Sequence, residues 1–378
     1  MVTIVISFIT ALLTLGYAGI VLYLRQGWIN LQVFQPSVKS LPKIRVSVII
    51  AARNEEDKLD KTINDLLNQD YPKELFEIIV VDDHSTDRTS EIISSYSEQG
   101  VLLIKLNEHK PLNSYKKKAI AEAIQISKGE LIITTDADCR MGLQWLKTIV
   151  DYYQQTGCKM ISSPVVFFEE KNTFEKMQTL EFLYLIGLGA ATIGQNIPST
   201  CNGANLAYRK DVFNEVDGFR GIDDLASGDD ELLLHKIASL YPTKIGFCKS
   251  EKALVYTHAK PDISAFIQQR KRWASKSTKY KNKGIVALGI SLWIFNLFIL
   301  INIVIGLFDA HYIYLAGLSF FIKILVEVAF LNLMCGFVKR KNLMRYQPLL
   351  SFAHIFYFVY IGLAGNSGKY LWKGRMVR

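Results

Sequence analysis

The 378-residue sequence predicts an α/β fold with a mostly parallel sheet, flanked by transmembrane helices. From about residue 44 to residue 250, short β-branched runs alternate with segments of helical spacing, which is typical of parallel α/β sheets. On either side of this region, Met1–Leu24 and Ile285–Phe308 contain no charged side chain. Each run is longer than the roughly 20 apolar residues that cross a bilayer.

The first uncharged run, Met1–Leu24, is predicted to be a retained membrane anchor. It lacks a basic start, its apolar stretch is too long for a secretory signal, and no clear small-residue cleavage site follows. Basic residues come directly after it, at Arg25, Lys39, Lys43 and Arg45. By the positive-inside rule, the region that follows is expected in the cytoplasm.

The central region carries polar residues where its predicted strands end. The predicted strands are 45–52, 77–81, 102–105 and 131–135, and the predicted helices between them are 57–67, 85–96 and 116–127. Ligands of open α/β sheets bind at the carboxyl ends of the strands. The polar residues at three such ends are Arg53, Asn54 and Glu55 after the first strand, Asp82 and Asp83 after the second, and Asp136 and Asp138 after the fourth.

The remainder of the chain is predicted to be helical and associated with a membrane. Segments 172–193 and 263–274 have the pattern either of helices in the membrane interface or of buried core helices. Apolar stretches at 312–338 and 346–365 follow the second span, and Lys323 and Glu327 interrupt the first of them. Charged residues inside a membrane are candidates for a functional role. A lysine and a glutamate at this spacing can also neutralise each other within a helix bundle.

Four regions are therefore predicted in a multi-pass protein of the inner or plasma membrane. They are an anchor at 1–24, a cytoplasmic catalytic domain at 40–250, an interfacial helix at 251–283, and a C-terminal transmembrane region of about three segments at 285–367. Three spans after the domain would place the basic tail at 369–378 outside. Either one segment does not cross fully, or the charge rule is overridden.

The net charge of +9 is concentrated beside the apolar segments, mainly at 270–283 and 339–345. Cationic clusters in such places favour anionic lipid headgroups, so membrane lipids are expected partners. No nucleic-acid motif accompanies the charge, and we predict no nucleic-acid partner. The five cysteines form no Cys-x-x-Cys pair, which indicates reduced thiols without a metal or redox motif.

Paired carboxylates indicate the chemistry of the strand ends. Asp136 and Asp138 are suited to hold a hard divalent cation and the hydroxyls of a sugar or ribose. Asp82 and Asp83 are suited to accept hydrogen bonds from a base and a ribose. Asp229 and Asp230 open a predicted helix at 231–238, and Asp230 is the candidate general base, with Asp229 the second choice. The alternative for each pair is ordinary turn or helix capping.

Gln269, Arg272 and Trp273 share one face of the predicted helix at 263–274, since they stand at i, i+3 and i+4. Arginine can clamp phosphate oxygens with two parallel hydrogen bonds, and tryptophan offers a flat apolar face to a sugar. The alternative is an interfacial helix whose cations reach toward water.

In this order, the motifs VSVIIAARNEE, IIVVDDHSTDRT, ITTDADCR, GDDELLL and QRKRW resemble the family 2 glycosyltransferases with the GT-A fold. The resemblance covers roughly residues 44 to 283. It is closest to the membrane-embedded branch that includes cellulose, hyaluronan and poly-N-acetylglucosamine synthases and ceramide glucosyltransferases. Gln269-x-x-Arg272-Trp273 is its most specific element.

The resemblance implies a role for each candidate residue. Donor and nucleotide residues would be Ala52, Arg53, Glu55, Asp83, Lys118, Asp136, Gln269 and Arg272; the metal ligand for Mg²⁺ or Mn²⁺ would be Asp138; the acceptor residues would be Asn202, Gly203, Asp229 and Trp273; and the catalytic base would be Asp230. The loop 200–205 lacks the Phe-Phe-Cys-Gly-Ser form of the family, and the aspartate pair Asp82-Asp83 is not followed by glycine. The first departure leaves the acceptor and processivity open.

The expected activity is inverting transfer of a hexosyl or N-acetylhexosaminyl group from a nucleotide sugar, most simply a UDP-sugar. A lipid, lipid-linked or short-glycan acceptor is favoured, because about four spans are few for a wide channel. The alternative is a processive synthase that extrudes a polymer of the cell envelope. A third hypothesis, a non-catalytic membrane subunit that binds nucleotide sugar, predicts a missing base or a broken Gln-x-x-Arg-Trp motif, and both are present.

Overall fold

The computed structural model describes residues 1–37, 42–108, 112–276, 280, 282–364, 370–372 and 375–377. The chain divides into two compact units. One, here called the helical unit, comprises Met1–Ile29, Glu170–Ala191 and Ala259–Gly368. The other, here called the α/β unit, comprises Asn30–Glu169, Thr192–His258 and Lys369–Arg378.

The described residues form α-helices and β-strands with the following bounds. The helices are α1 (Val2–Asn30), α2 (Leu59–Leu67), α3 (Thr89–Ser95), α4 (Tyr115–Ile126), α5 (Trp145–Thr156), α6 (Thr173–Gly194), α7 (Lys210–Glu215), α8 (Glu231–Leu240), α9 (Ile263–Ser275), α10 (Lys283–Ile305), α11 (Ala310–Phe337) and α12 (Gln347–Ala364). The strands are β1 (Val46–Ala52), β2 (Phe76–Asp82), β3 (Val101–Lys105), β4 (Leu131–Asp136), β5 (Arg140–Met141), β6 (Met160–Ser162), β7 (Val165–Phe167), β8 (Leu206–Arg209), β9 (Ile245–Phe247), β10 (Val255–Thr257), β11 (Tyr370–Trp372) and β12 (Arg375–Val377).

A seven-stranded sheet in the order β3-β2-β1-β4-β8-β6-β9 forms the centre of the α/β unit. Strands β3, β2, β1 and β4 run parallel, β8 is antiparallel to both β4 and β6, and β9 is parallel to β6. A smaller sheet has the order β5-β10-β7, and β11 pairs with β12 as an antiparallel hairpin. The predicted α/β class with a mostly parallel sheet is confirmed.

The register of the parallel strands brings the predicted polar ends together. Strand β1 is buried along almost its whole length, as expected for a β-branched run covered on both faces. Its Ala52 pairs with Asp82 of β2, and its Ala51 pairs with Asp136 of β4. The carboxyl ends of the three strands therefore lie side by side at one edge of the sheet.

Helix α3 is shorter than the predicted helix at 85–96, because side chains from neighbouring strand ends bind the chain before it. The Ser85 N–H donates to Asp82 Oδ1 (3.0 Å), and the Thr86 N–H donates to Asn54 Oδ1 (2.9 Å). These bonds hold residues 85–88 as a loop at the sheet edge, so the helix begins at Thr89.

Five helices are long and apolar enough to cross a membrane, among the described residues. They are Val2–Asn30, Thr173–Gly194, Lys283–Ile305, Ala310–Phe337 and Lys341–Ala364. Of these, Thr173–Gly194 is the most enclosed by protein, with 67% of its most apolar stretch buried, which favours the core-helix alternative for this segment. Residues 170–191 belong with the helical unit, and the tail from residue 369 belongs with the α/β unit.

The two charges of α11 are neutralised inside the helical unit. Lys323 and Glu327 are buried and form an ion pair one helical turn apart. Glu327 also accepts hydrogen bonds from the Tyr17 hydroxyl (2.5 Å), from Gln347 Nε2 (3.1 Å) and from the Ser351 hydroxyl. With four donors around one carboxylate, the pair is a satisfied structural contact that joins three helices.

Candidate active site

The ends of β1 and β2 are joined by direct hydrogen bonds. The Asp83 N–H donates to the carbonyl oxygen of Ala52 (2.8 Å). Arg53 Nη1 donates to the carbonyls of Asp83 (2.8 Å) and His84 (3.1 Å), and the Glu55 N–H donates to Thr89 Oγ1 (2.8 Å). The predicted nucleotide residues Ala52, Arg53, Glu55 and Asp83 are therefore neighbours, and a guanidinium and a carboxylate face the same edge.

Asp83 is a buried carboxylate, with 3% of its side chain exposed. Its Oδ1 lies 3.1 Å from His84 Nδ1 and 3.9 Å from Arg53 Nη1. Arg375 Nη1, from β12 in the C-terminal hairpin, lies 2.7 Å from Oδ1 and 3.0 Å from Oδ2. Among the described residues, the guanidiniums of Arg53 and Arg375 thus both lie within 4 Å of this carboxylate.

Lys116, at the start of α4, links two of the predicted acidic motifs. Its Nζ lies 2.7 Å from Asp136 Oδ1 and 3.2 Å from Asp229 Oδ2. Burial disfavours its charged form, but the attraction of Asp136 and Asp229 outweighs burial and raises the pKa of Lys116. The strand end of β4 and the acidic loop before α8 therefore share one positive charge. Asp136, Asp229 and Asp230 are called the acidic cluster below.

Lys118, and not Lys116, was predicted to lie near the donor. Lys118 pairs with Glu122 (2.9 Å) along the outer face of α4, and 45% of its side chain is exposed. The only signal for Lys116 was the run of three lysines at 116–118, which gives the positive charge of the segment without its direction.

Asp230 holds the loop that carries Gly203 and also begins α8. Its Oδ1 accepts from the Glu231 N–H (2.6 Å), and its Oδ2 accepts from the Gly203 N–H (3.1 Å). A Cβ on Gly203 would lie 3.2 Å from Asp229 Oδ2 and 3.4 Å from Asp230 Cβ. This close approach favours glycine, because with a Cβ the neighbouring side chains would have to shift by a few tenths of an ångström. It also places the predicted acceptor residues Gly203 and Asp229 directly beside the predicted base.

A second lysine of α4, Lys117, binds the backbone of the loop that precedes Asp229 and Asp230. The buried Lys117 Nζ donates to the carbonyls of Ile222 (2.5 Å), Leu225 (2.7 Å) and Ser227 (2.7 Å). Gly228 then turns the chain with a φ of +85°, which L side chains rarely adopt. Three carbonyls of the loop before the acidic motif thus share the three donors of one ammonium.

Asn202 and Asp138 contact different parts of the chain. The Asn202 side chain accepts from the Ala204 N–H (2.9 Å) and thereby shapes the short 3₁₀ turn that carries Gly203. Asp138 Oδ2 lies 3.7 Å from Lys58 Nζ, and a quarter of its side chain is exposed. In the described part of the chain, no group of three His, Cys, Asp or Glu side chains could hold a metal ion by itself.

Gln269, Arg272 and Trp273 lie on α9, in the helical unit. Gln269 Oε1 accepts from Arg270 Nη1 (2.7 Å), and the Trp273 ring stacks beside Phe182, with 6.0 Å between ring centroids. Arg270, which the sequence analysis did not single out, is buried and forms an ion pair with Glu181 (2.6 Å).

Arg270 also supports the indole ring of the motif. Its guanidinium lies 4.3 Å from the Trp273 ring centroid. Arg270 thus contacts both Gln269 and Trp273 of the motif. Arg272 is partly exposed.

Comparison with known proteins gives consistent matches. Residues 47–217 match the family described as Glycosyl transferase family 2. The chain is 29% identical over 252 residues to the probable glycosyltransferase YdaM of Bacillus subtilis (strain 168), covering 65% of this chain and 57% of that protein. It is 30% identical over 110 residues to beta-monoglucosyldiacylglycerol synthase of Nostoc sp. (strain PCC 7120 / SAG 25.82 / UTEX 2576), covering 29% of this chain and 24% of that protein. The chain thus spans less than two thirds of the length of these curated relatives.

A solved structure supports the fold. The mannosyltransferase PcManGT from Pyrobaculum calidifontis, in complex with GDP-Man and Mn²⁺, is similar with a TM-score of 0.56 and 17% sequence identity. The likeness covers 93% of this chain and 98% of that chain. At this level of identity it concerns the fold, and it confirms the fold that the family resemblance implied.

Proposed function

We infer that this chain, whose residues 47–217 form a family 2 glycosyltransferase domain, is a membrane-bound enzyme that transfers a sugar from a nucleotide sugar to an acceptor hydroxyl. One observation carries the proposal. Lys116 bridges Asp136 and Asp229, beside Asp230 and Gly203, at the carboxyl edge of a parallel sheet. This edge is where ligands of such sheets bind, and its charges suit a diphosphate on one side and a hydroxyl on the other.

The donor would lie along the ends of β1, β2 and β4. Asp83 and Arg53 would bind the nucleotide, with Ala52 and Glu55 shaping the strand end between them. Asp136 would bind a donor hydroxyl. The position of Lys116 supports it, in place of Lys118, as the lysine that stabilises the departing diphosphate, because its ammonium lies at the acidic cluster. A UDP-sugar is the simplest donor, and a GDP-sugar is the alternative.

A divalent cation, Mg²⁺ or Mn²⁺, is proposed to assist donor binding, with Asp138 as its protein ligand. Asp138 fits such an ion, because its carboxylate oxygens are hard ligands and are partly exposed. Lys58 Nζ lies 3.7 Å away, which is a weak contact. Magnesium in particular is commonly held by one or two carboxylates, with the remaining ligands supplied by phosphates and water. Once bound, the ion would neutralise charge on the leaving diphosphate.

Asp230 is proposed as the general base. Two backbone N–H groups, those of Glu231 and Gly203, fix its orientation at the end of α8. It would take the proton of the acceptor hydroxyl, whose oxygen would attack the anomeric carbon from the face opposite the diphosphate and invert its configuration. Asn202, Gly203 and Asp229 would shape the acceptor side of this site. For Gln269, Arg272 and Trp273, binding of the diphosphate and the acceptor end is the role that the family resemblance implies.

A lipid or lipid-linked acceptor at the inner or plasma membrane is favoured, with the α/β unit in the cytoplasm. Five helices have the length and composition of membrane spans, and one relative is named for the synthesis of a glucosyl lipid. In the helical unit, the intramembrane pair Lys323 and Glu327 is engaged in structural contacts, which gives no support to a charged polymer path at that point. A product of defined size would support this acceptor, and a ladder of long polymer would reject it.

The test is release of nucleotide diphosphate by detergent-purified protein, screened over UDP- and GDP-sugars with Mg²⁺ or Mn²⁺ and added membrane lipid. Wild type, Asp230→Asn and a control, Asp217→Asn, would be compared. Asp217 is exposed with a φ of +55°, a conformation that asparagine also adopts, so the control changes the same chemical group harmlessly.

Release by wild type and the control with one donor, reduced by about a hundredfold or more in Asp230→Asn, is expected for loss of a general base. Equal release by all three proteins would remove Asp230 from the mechanism. The absence of both release and donor binding would reject the proposed activity.

A further inference from the structure

The C-terminal hairpin places Arg375 against the predicted nucleotide site, within the α/β unit. Its Nη1 lies 2.7 and 3.0 Å from the two oxygens of Asp83. The same guanidinium lies 3.7 Å from the centroid of the Tyr115 ring, and 18% of the Arg375 side chain is exposed. The contact joins positions 292 residues apart in the sequence, and the charge pattern of the tail alone gives no indication of it.

This arrangement has the geometry of a bound nucleobase. A guanidinium is planar and presents N–H donors in its plane. Here the group lies over an aromatic ring and donates toward a buried carboxylate. A nucleobase with a ring N–H, such as the imide of uracil or the corresponding group of guanine, makes the same two contacts, because every base has a face for stacking and these bases have a donor at the edge.

We propose that Asp83 and Tyr115 form the base subsite of the donor nucleotide, and that Arg375 and the base are alternative occupants of it. The inference rests on the proposed function and deepens it, since it names a stacking residue and an internal competitor for the donor. A base cannot donate to Asp83 while Arg375 engages both of its oxygens. The C-terminal hairpin is therefore an intramolecular inhibitor that must leave before the donor binds.

Asp83 and Tyr115 also have contacts that do not depend on the tail. Without Arg375, Asp83 keeps His84 Nδ1 at 3.1 Å and Arg53 Nη1 at 3.9 Å. Tyr115 is held independently, because its hydroxyl accepts from the Leu112 N–H (3.2 Å). Burial, and after it the positive charge of Arg375, lower the pKa of Arg53, which indicates that the two guanidiniums repel one another at this carboxylate. A neutral base would relieve that repulsion.

The experiment is calorimetric titration of UDP and GDP into the full-length protein in detergent. The variants are Arg375→Ala, Arg375→Lys and a control, Arg378→Ala, which removes the same charge from the same tail. If the tail occupies the subsite most of the time, the apparent dissociation constant is raised by the inverse of the free fraction. We expect Arg375→Ala to bind one nucleotide diphosphate about tenfold or more tightly than wild type, with Arg378→Ala unchanged.

Three results would overturn the inference. Weaker binding by Arg375→Ala would make Arg375 a donor ligand, and unchanged binding would exclude competition. Equal tightening by Arg375→Ala and Arg378→Ala would indicate a general charge effect. Each of these leaves the proposed function standing, whereas no nucleotide binding by any of the proteins would reject both.

A second pair of variants tests the stacking face. Tyr115→Phe keeps the ring and loses the hydroxyl, while Tyr115→Ala loses both. In the Arg375→Ala background, Tyr115→Phe loses only the contact of its hydroxyl with the Leu112 N–H, and it should bind the nucleotide more tightly than Tyr115→Ala does. In this background the tail no longer competes, and adding Tyr115→Ala should make nucleotide binding about tenfold weaker than in Arg375→Ala alone. Equal affinities of Arg375→Ala with and without Tyr115→Ala would show that Tyr115 is not the stacking residue.

Discussion

Replacing Lys116 by methionine tests whether the acidic cluster is a working site. The ammonium lies 2.7 Å from Asp136 and 3.2 Å from Asp229. The side chains of Lys116 and Asp229 are largely buried, with 19% and 10% exposed, while that of Asp136 is 40% exposed. Methionine keeps the length and the apolar stem, but it leaves two carboxylates facing each other without their shared counter-ion.

The expected magnitude follows from these two contacts. A contact to a charged group that is largely buried is worth about 1.5–3 kcal/mol, and we assign this value to the ion pair with Asp229. The contact with the more exposed Asp136 is discounted to about 0.5–1 kcal/mol because water screens it. The sum, about 2–4 kcal/mol, corresponds to a loss of roughly 30- to 1,000-fold in kcat/KM if the site needs this arrangement in the transition state.

The assay is nucleotide diphosphate release as a function of donor concentration, and the control is Lys118→Met. Both changes remove one lysine from the same helix, but in the described part of the chain Lys118 forms an ion pair with Glu122 alone, where 45% of the lysine side chain is exposed. We expect Lys118→Met to stay within about twofold of wild type, since exposed pairs contribute little. A larger loss in Lys118→Met than in Lys116→Met would refute the assignment of the donor lysine to Lys116.

Three further predictions concern the metal, the loop before the acidic motif and the membrane pair. Activity should disappear with a chelator and return with Mn²⁺ or Mg²⁺, and Asp138→Asn should need about tenfold or more Mn²⁺ for half-maximal rate; unchanged metal dependence would exclude Asp138 as a ligand. Lys117→Met should lower stability by about 3 kcal/mol, because three buried carbonyls lose their donor, and thermal unfolding that matches wild type would contradict this. Glu327→Leu should cost about 3–5 kcal/mol by leaving Lys323 buried without its counter-ion, and adding Lys323→Met should restore much of the thermal stability; no recovery in the double variant would argue against the pair.

The part of the site that lies on parallel strands was predictable from the sequence. Runs of buried β-branched residues define the strands, and in a parallel sheet their carboxyl ends meet at one edge. Arg53, Asp83 and Asp136 were expected together for this reason, and the register of β1 with its two neighbours places them together. Local patterns suffice here because strand direction and sheet type determine where each end lies.

The contacts made by helix-borne cations were not predictable in the same way. Which of Lys116, Lys117 and Lys118 faces the acidic cluster depends on the rotation of α4 about its axis, and a shift of one residue turns a side chain by about 100°. The structure directs Lys116 to the acidic cluster, Lys117 to the loop beneath it, and Lys118 to Glu122 on the outer face. Arg375 illustrates the same difficulty over a greater sequence distance, because no local pattern links a tail residue to a strand end.

Chain connectivity limits how the apolar helices can lie in a membrane. Helix α6 follows β6 and precedes β8, and these two strands pair with each other in one sheet. A helix that crossed a bilayer once would leave the two strands on opposite sides of it. Helix α6 therefore begins and ends on the same side, although its length and composition would suffice for a span.

The same reasoning applies to α10, α11 and α12, because Arg375 lies beyond them in the chain and contacts Asp83, which lies before them. The chain must return to the side on which the sheet lies, so we expect an even number of these helices to cross completely. Three full crossings would place the basic tail on the opposite side from the predicted catalytic residues. With an even number, the basic tail and the basic segment after α1 would lie on the same side of a membrane, as the positive-inside rule expects of two basic segments.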